Sequence, residues 1–335
     1  MLYLYTFLTS FLITLFFVPL MKKIAVKYDI LDKPVTAVKT HKQPVPYLGG
    51  VAIWIGLIAV LFAIRFFTNF ETGTLRNLRG IVLAGTCIMA LGIVDDIKPL
   101  HFTTKFFWQI IAATILILFD MKIKFIQPSY LGIILTYLWI IGVTNAFNLI
   151  DVMDGLSSGV AVIAALSFFF INAPKEAIYV NFAAVGLAGS ALGFLKYNLP
   201  PAGIYMGDTG SLFIGFVLAA ISLGANYTFI NNVAVFTPIL ILAVAIFDTF
   251  YIMFKRNQKH KSMFVGSHDH FALRLRKMGW PQNKILCVIY LIAIFCGLMA
   301  YIITRVSYES AMILYAGIAI IGYWIAKFLG RVEIN

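Results

Sequence analysis

Charge is what this 335-residue sequence has least of: Asp, Glu, Lys and Arg make up 12% of it, against 61% hydrophobic residues. A water-soluble domain covers its exterior with polar side chains, so this composition excludes an ordinary globular protein. Acid is scarcer than base, with 14 Asp and Glu to 26 Lys and Arg. In so apolar a chain the +12 balance points to anionic lipid and anionic substrate. No basic run interleaved with aromatics marks a nucleic-acid surface, and none is expected. Cysteine is nearly absent. Cys87, Cys287 and Cys296 lie in apolar stretches without metal-ligand spacing or a disulfide framework, and read as small core residues. The N-terminal apolar run lacks the basic n-region and small-residue cleavage site of a removable leader, so it is expected to be a first transmembrane helix.

A helix needs about 20 apolar residues to cross the hydrocarbon core. That window finds eleven candidates: 2–20, 48–66, 80–94, 106–119, 130–149, 156–172, 178–197, 209–227, 233–254, 284–304 and 310–327. The expected fold is all-α, a single polytopic helix bundle of about eleven spans covering residues 1–335. Nineteen of the 26 Lys and Arg fall in alternate connections and the tail, which the positive-inside rule assigns to the cytoplasm. The N-terminus is then outside and the C-terminus cytoplasmic. Spacing at Gly186, Gly189 and Gly193 predicts close packing of that helix on a neighbour.

The aspartates share this asymmetry. With the single exception of Asp120, all ten lie in, beside or toward the inside segments, whereas Glu71, Glu176 and Glu309 lie outside. Asp95 and Asp96 end the third span side by side, and adjacent carboxylates at a water boundary repel unless a cation or a proton relieves them. Asn145, Asn148, Asp151 and Asp154 recur every three residues and share a stripe, which at a membrane boundary is costly unless it faces water or ligand. From Asn198 to Ser211 a Pro-Pro break and glycines lead to Asp208 at a helix start, where backbone N–H groups can approach phosphate and a carboxylate can hold a hard cation. Loops 21–47 and 255–284 add Lys39, His41, His268, His270 and Arg274, suited to phosphate or to anionic headgroups.

Four segments together resemble the polyprenyl-phosphate N-acetylhexosamine-1-phosphate transferases, membrane enzymes that begin lipid-linked cell-wall and surface glycans. They are the Asp95-Asp96 pair, the Asn-x-x-Asn-x-x-Asp-x-x-Asp-Gly-Leu run from Asn145, the Pro-Ala-x-x-x-Met-Gly-Asp-Thr-Gly-Ser run from Pro201, and Pro-Val-Pro-x-Leu-Gly-Gly from Pro44. The resemblance implies transfer of a sugar 1-phosphate from a UDP-N-acetylhexosamine to undecaprenyl or another polyprenyl phosphate, releasing UMP, with Mg²⁺ or Mn²⁺ as cofactor. It implies Asp208 as metal ligand, with Asp95, Asp96 and Asp151 as further candidates. Asp95 would be a base or phosphate-positioning group with Asp96 beside it, and Asn198 a support near the metal. Asn148, Asp151 and Asp154 would recognise nucleotide and pyrophosphate, and Tyr205 would stack on uracil. The implied setting is the plasma membrane with the site-bearing loops (21–47, 95–105, 145–158, 196–211, 255–284) on the cytoplasmic side, and a homodimer is compatible with it. Phosphoryl transfer needs mostly positioning and charge neutralisation, which these residue types can supply.

The sequence departs from many relatives where Ala37, Val38 and Tyr47 replace basic residues, and where Ala272 and Leu273 stand in the last loop's histidine run. The triple histidine of the muramyl-pentapeptide branch is absent, which favours a UDP-GlcNAc-like donor and leaves that branch as the runner-up. A transporter is the reading from another class, but transport sites are expected near the midplane.

Overall fold

The computed structural model describes residues 1–33, 44–67, 72–173, 178–260 and 269–332. In chain order it runs α1 (Leu2–Lys27), β1 (Leu31–Asp32), β2 (Val45–Pro46), α2 (Gly49–Phe67), α3 (Thr72–Ile97), α4 (Phe102–Leu118), α5 (Ser129–Leu149), α6 (Leu156–Asn172), α7 (Ile178–Asn198) and α8 (Gly207–Gly224). A 3₁₀ turn (Asn232–Phe236) then leads to α9 (Thr237–Ile241), α10 (Ala243–Gln258), α11 (Phe271–Lys277), α12 (Gln282–Ile303) and α13 (Tyr308–Leu329). The strands pair antiparallel, Leu31 opposite Pro46 and Asp32 opposite Val45.

Every apolar segment of the sequence is helical, and the protein is an all-α polytopic membrane protein. Among the described residues, eight helices are long and apolar enough to span a bilayer, and nine if the bent pair around Leu242 counts as one. The two 17-residue helices α4 and α6 fall just short of that length. Helix α3 exceeds the expected 80–94 because Arg76, Asn77 and Arg79 carry helical backbone past the apolar part. The single span expected over 233–254 is instead two helices bent by 74°. The break falls at Leu242, whose backbone (φ −95°, ψ 12°) leaves the helical region.

Helices α7 and α8 form the centre, with 78% and 83% of their most apolar stretches buried, whereas α13 is 6% buried and faces outward. Small residues allow this density, as expected where no hydrophobic effect drives helices together. A Cβ at Gly189 would collide with the Phe7 carbonyl and Ser10 Oγ of α1, and one at Gly193 would come within 2.7 Å of the Phe11 carbonyl. The buried Thr6 and Ser10 hydroxyls on that seam donate to carbonyls of their own helix. Of the cysteines only Cys296 is buried; Cys87 is partly exposed and Cys287 exposed on α12, and none is paired. Antiparallel alternation brings the C-termini of α3, α5 and α7 and the N-termini of α4, α6 and α8 to one end of the bundle, and the site lies there.

Candidate active site

Three glycines on three elements make the first turn of α8 approachable. Gly207 has φ +68°, and a Cβ there would run into the Asp96 carboxylate. A Cβ on Gly92 of α3 would strike the Thr209 backbone, and one on Gly50 of α2 the backbone of Gly210. With those side chains missing, α3 lies against α8 and Asp96 reaches its open N–H groups. Asp96 Oδ1 accepts from the Asp208 N–H at 2.7 Å, and Oδ2 accepts from the Thr209 N–H at 3.2 Å and the Thr209 hydroxyl at 2.6 Å. A carboxylate from one helix thus caps another, at the end where the helix dipole favours negative charge.

Asp208, the second residue of α8, projects from that turn toward three elements. Lys105, near the start of α4, lies between two carboxylates: its Nζ is 2.6 Å from Asp208 Oδ2 and 2.5 Å from Asp95 Oδ2. The Leu100 N–H donates to the other Asp95 oxygen at 2.7 Å. Asn148 Nδ2 donates to Asp208 Oδ1 and to Ser211 Oγ, each at 2.9 Å. Asp95 is buried at 8% exposure, whereas Asp208 and Lys105 keep 26% and 23%, so the latter pair is the more accessible.

The polar stripe on α5 divides. Asn145 turns to α4, exchanging amide hydrogen bonds with Gln109 at 2.7 and 3.3 Å, while Asn148, one turn on, reaches Asp208. Asp151 sits between α5 and α6. Burial, and then the charges of Asp208, Asp154 and Asp96, push its carboxyl up to about 8. Asp154 accepts from the Ala202 N–H at 3.0 Å. Asn198 fastens two loops: its Oδ1 accepts from the Gly155 N–H at 2.9 Å and the Ser158 hydroxyl at 3.3 Å, and its Nδ2 donates to the Ile204 carbonyl at 3.1 Å. Gly155 takes the left-handed φ of +78° that this turn requires. Tyr205 is half-buried, three residues before Asp208.

Lys39, His41 and His268 lie outside the described residues. His270 and Arg274 are buried away from α8. His270 Nδ1 is 2.7 Å from Asp248 Oδ2 of α10, whose other oxygen accepts from the Phe271 N–H at 2.9 Å. Arg274 holds Asp269 at 2.7 Å, donates to the Leu329 and Val332 carbonyls at the end of α13, and lies over the Tyr251 ring. Sequence reasoning gave no role to Lys105, Gln109 or Ser211. A lysine opening an apolar helix was the available signal for the first, since such a charge is retained only with a partner.

Among the described residues no cage of three or more His, Cys, Asp or Glu is gathered around a point. The donor set nevertheless fits a hard cation: Asp95 and Asp208 already converge on one positive centre, the Lys105 ammonium, with oxygen the only donor type they offer. Magnesium commonly takes one or two carboxylates, the remaining positions falling to phosphate and water.

Fold and site together define a multi-pass membrane protein with a cluster of aspartates and a lysine at one end of its bundle. The chain belongs to glycosyl transferase family 4, whose sequence profile matches residues 78–226, the stretch holding Asp95 through Asp208. A probable undecaprenyl-phosphate N-acetylglucosaminyl 1-phosphate transferase of Bacillus subtilis is 32% identical over 336 residues, 98% of this chain and 92% of that protein. The decaprenyl-phosphate N-acetylglucosaminephosphotransferase of Mycobacterium tuberculosis is 28% identical over 78% of this chain and 72% of its own length. A phospho-N-acetylmuramoyl-pentapeptide-transferase of Listeria innocua is 30% identical over 84% of this chain and 91% of its own.

Proposed function

We propose that the protein transfers N-acetylglucosamine 1-phosphate from UDP-GlcNAc to undecaprenyl or another polyprenyl phosphate, at the cytoplasmic face of the plasma membrane. The observation that carries this reading is the Asp95–Lys105–Asp208 bridge at the first turn of α8, where anionic oxygen and a cation meet beside the helix N–H groups that Asp96 holds. In the reaction an oxygen of the lipid phosphate attacks the β-phosphorus of the donor. The bond from that phosphorus to the α-phosphate oxygen breaks, and UMP leaves. A polyprenyl pyrophosphoryl sugar remains.

A Mg²⁺ or Mn²⁺ ion held by Asp208, with Asp95 near it, would neutralise charge on the transferring phosphate. The chain's own groups do the rest. Asp96 keeps the first turn of α8 in register, and Asn148 orients Asp208. Lys105, released by one carboxylate, is placed to follow the phosphate charge as it moves. Asp151 and Asp154 face the nucleotide side beside Tyr205, with Asn198 tying the loop that carries them to the loop that carries Tyr205 and Asn145 joining α5 to α4. Lys39, His41 and His268 supply donors from the loops, while His270 and Arg274 fix the base of the last one. The reading includes one domain of eleven crossings, with α4, α6 and the bent α9–α10 pair counted as spans.

The GlcNAc branch is favoured over the muramyl-pentapeptide branch by the fuller match, 98% of this chain against 84%. A donor panel tests it. Purified protein with polyprenyl phosphate and Mg²⁺ is expected to release UMP from UDP-GlcNAc and not from UDP-muramyl-pentapeptide. The reverse preference would place the chain in the other branch.

A further inference from the structure

Tyr47 stands beside the site without a role in the scheme above. Its position is set by backbone: the Tyr205 N–H donates to the Pro46 carbonyl at 2.8 Å, and the Gly49 and Gly50 N–H groups donate to the Tyr205 and Met206 carbonyls at 3.0 Å each. Between them Leu48 is held at φ +77°, a conformation that a bulky residue keeps only where its surroundings over-determine it. This ladder brings the Tyr47 and Tyr205 rings to 6.2 Å between centroids at 51°. The rings are tilted rather than stacked on each other, and both residues are half-buried, so they form a corner rather than a closed pair.

The hydroxyls mark what lies around that corner. Burial, together with the buried Asp32 carboxylate and then Asp96 and Asp208, pushes the Tyr47 hydroxyl well above the ordinary phenol range. Burial, Asp154, Asp32 and Asp151 do the same for Tyr205. Both phenols therefore stay protonated, and the corner stands within reach of the charges of Asp32, Asp96 and Asp208 on the Tyr47 side and of Asp154, Asp32 and Asp151 on the Tyr205 side. An acyl chain would gain nothing beside those carboxylates. A planar ring with N–H donors matches both the aromatic faces and the acceptors.

We propose that Tyr47 is a nucleoside-binding residue, its ring forming with Tyr205 the corner that holds the base of the nucleotide. The inference rests on the uridine-nucleotide donor proposed above. It is tested by calorimetric titration of UMP, with Mg²⁺ present, into wild-type protein and the variants Tyr47→Leu, Tyr47→Phe and Tyr47→Trp in nanodiscs. Loss of the ring in Tyr47→Leu is expected to weaken UMP binding about ten-fold. Tyr47→Phe and Tyr47→Trp are expected to stay within about three-fold, and the acceptor KM to be unchanged in all three.

UMP affinity unchanged in Tyr47→Leu overturns the assignment, as does a loss seen for UDP-GlcNAc but not for UMP, which would put the ring against the sugar. If Tyr47→Leu does not fold, the indole emission of Tyr47→Trp, corrected for the wild-type signal, decides: a change on adding UMP supports the contact, and none overturns it. Failure of the wild-type protein to bind UMP would instead strike the donor reading itself.

Discussion

Lys105 is the residue on which the site's charge balance turns. It is bonded to two carboxylates, and Asp96, Asp151 and Asp154 add further acid at the same end. Removing its charge leaves Asp95 and Asp208 facing each other, a repulsion that a divalent cation relieves. Lys105→Met is therefore expected to lower turnover by about 100-fold or more. It should also tighten Mn²⁺ binding, read by electron paramagnetic resonance. Lowered turnover with weaker Mn²⁺ binding would contradict this picture.

Asp151 gives a second prediction at this scale. Its carboxyl titrates at about 8 in the folded protein, whereas in an unfolded chain it does so near about 4. Between those values the folded state holds the proton and the unfolded state releases it, so stability falls as pH rises through this window and levels off above about 8. Asp151→Asn removes that dependence. In metal-free buffer its melting temperature should match wild type near pH 4 and exceed it at about pH 8. An equal gap at both pH values would contradict the shift.

At the scale of elements, the first turn of α8 is held by what its neighbours lack. Gly92 and Gly50 let α3 and α2 lie directly against it, whereas a Cβ at Gly317 of α13 would meet nothing within 4 Å. Gly92→Ala is expected to cost about 1–3 kcal/mol through overpacking and to abolish activity. Gly317→Ala should be neutral or stabilising by up to about 1 kcal/mol, as replacing glycine in an open helix usually is. Paired thermal melts in one detergent check both, and equal effects would mean that the α3–α8 contact is not as close as described.

The existence of each apolar helix was legible because burial in lipid demands a long apolar run. The bend at Leu242 was not, since apolar composition continues through it. The Asn145–Asp154 spacing identified a polar stripe but not its division. Which amide meets Gln109 and which meets Asp208 depends on where α4 and α8 stand around α5, and no local pattern encodes that. His270 and Arg274 show the same limit. Their residue types suit phosphate, yet a 74° bend brings Asp248 to one and the end of α13 lies against the other.

For the whole molecule, helix ends carrying Asp95, Asp96, Asp151, Asp154 and Asp208 converge at one end of the bundle, while Asp120 lies at the other, its carboxyl held below the usual range by Lys124. In the proposed orientation, which follows the positive-inside expectation, the first end faces the cytoplasm. A fluorescent protein fused after Asn335 should accordingly fold and emit, whereas a membrane-impermeant thiol reagent should label a cysteine placed at Leu2 from outside. Inverted labelling would turn the molecule over.

The central claim is that the group transferred at this end is a sugar phosphate and not a sugar. It is tested most directly with UDP-GlcNAc labelled at its β-phosphorus, incubated with the protein, polyprenyl phosphate and Mg²⁺. The label is predicted to move into the lipid phase with UMP left in water, and to stay in water with Asp208→Asn. Label remaining in water as UDP while the sugar enters the lipid, or lipid labelling undiminished in Asp208→Asn, would contradict the account.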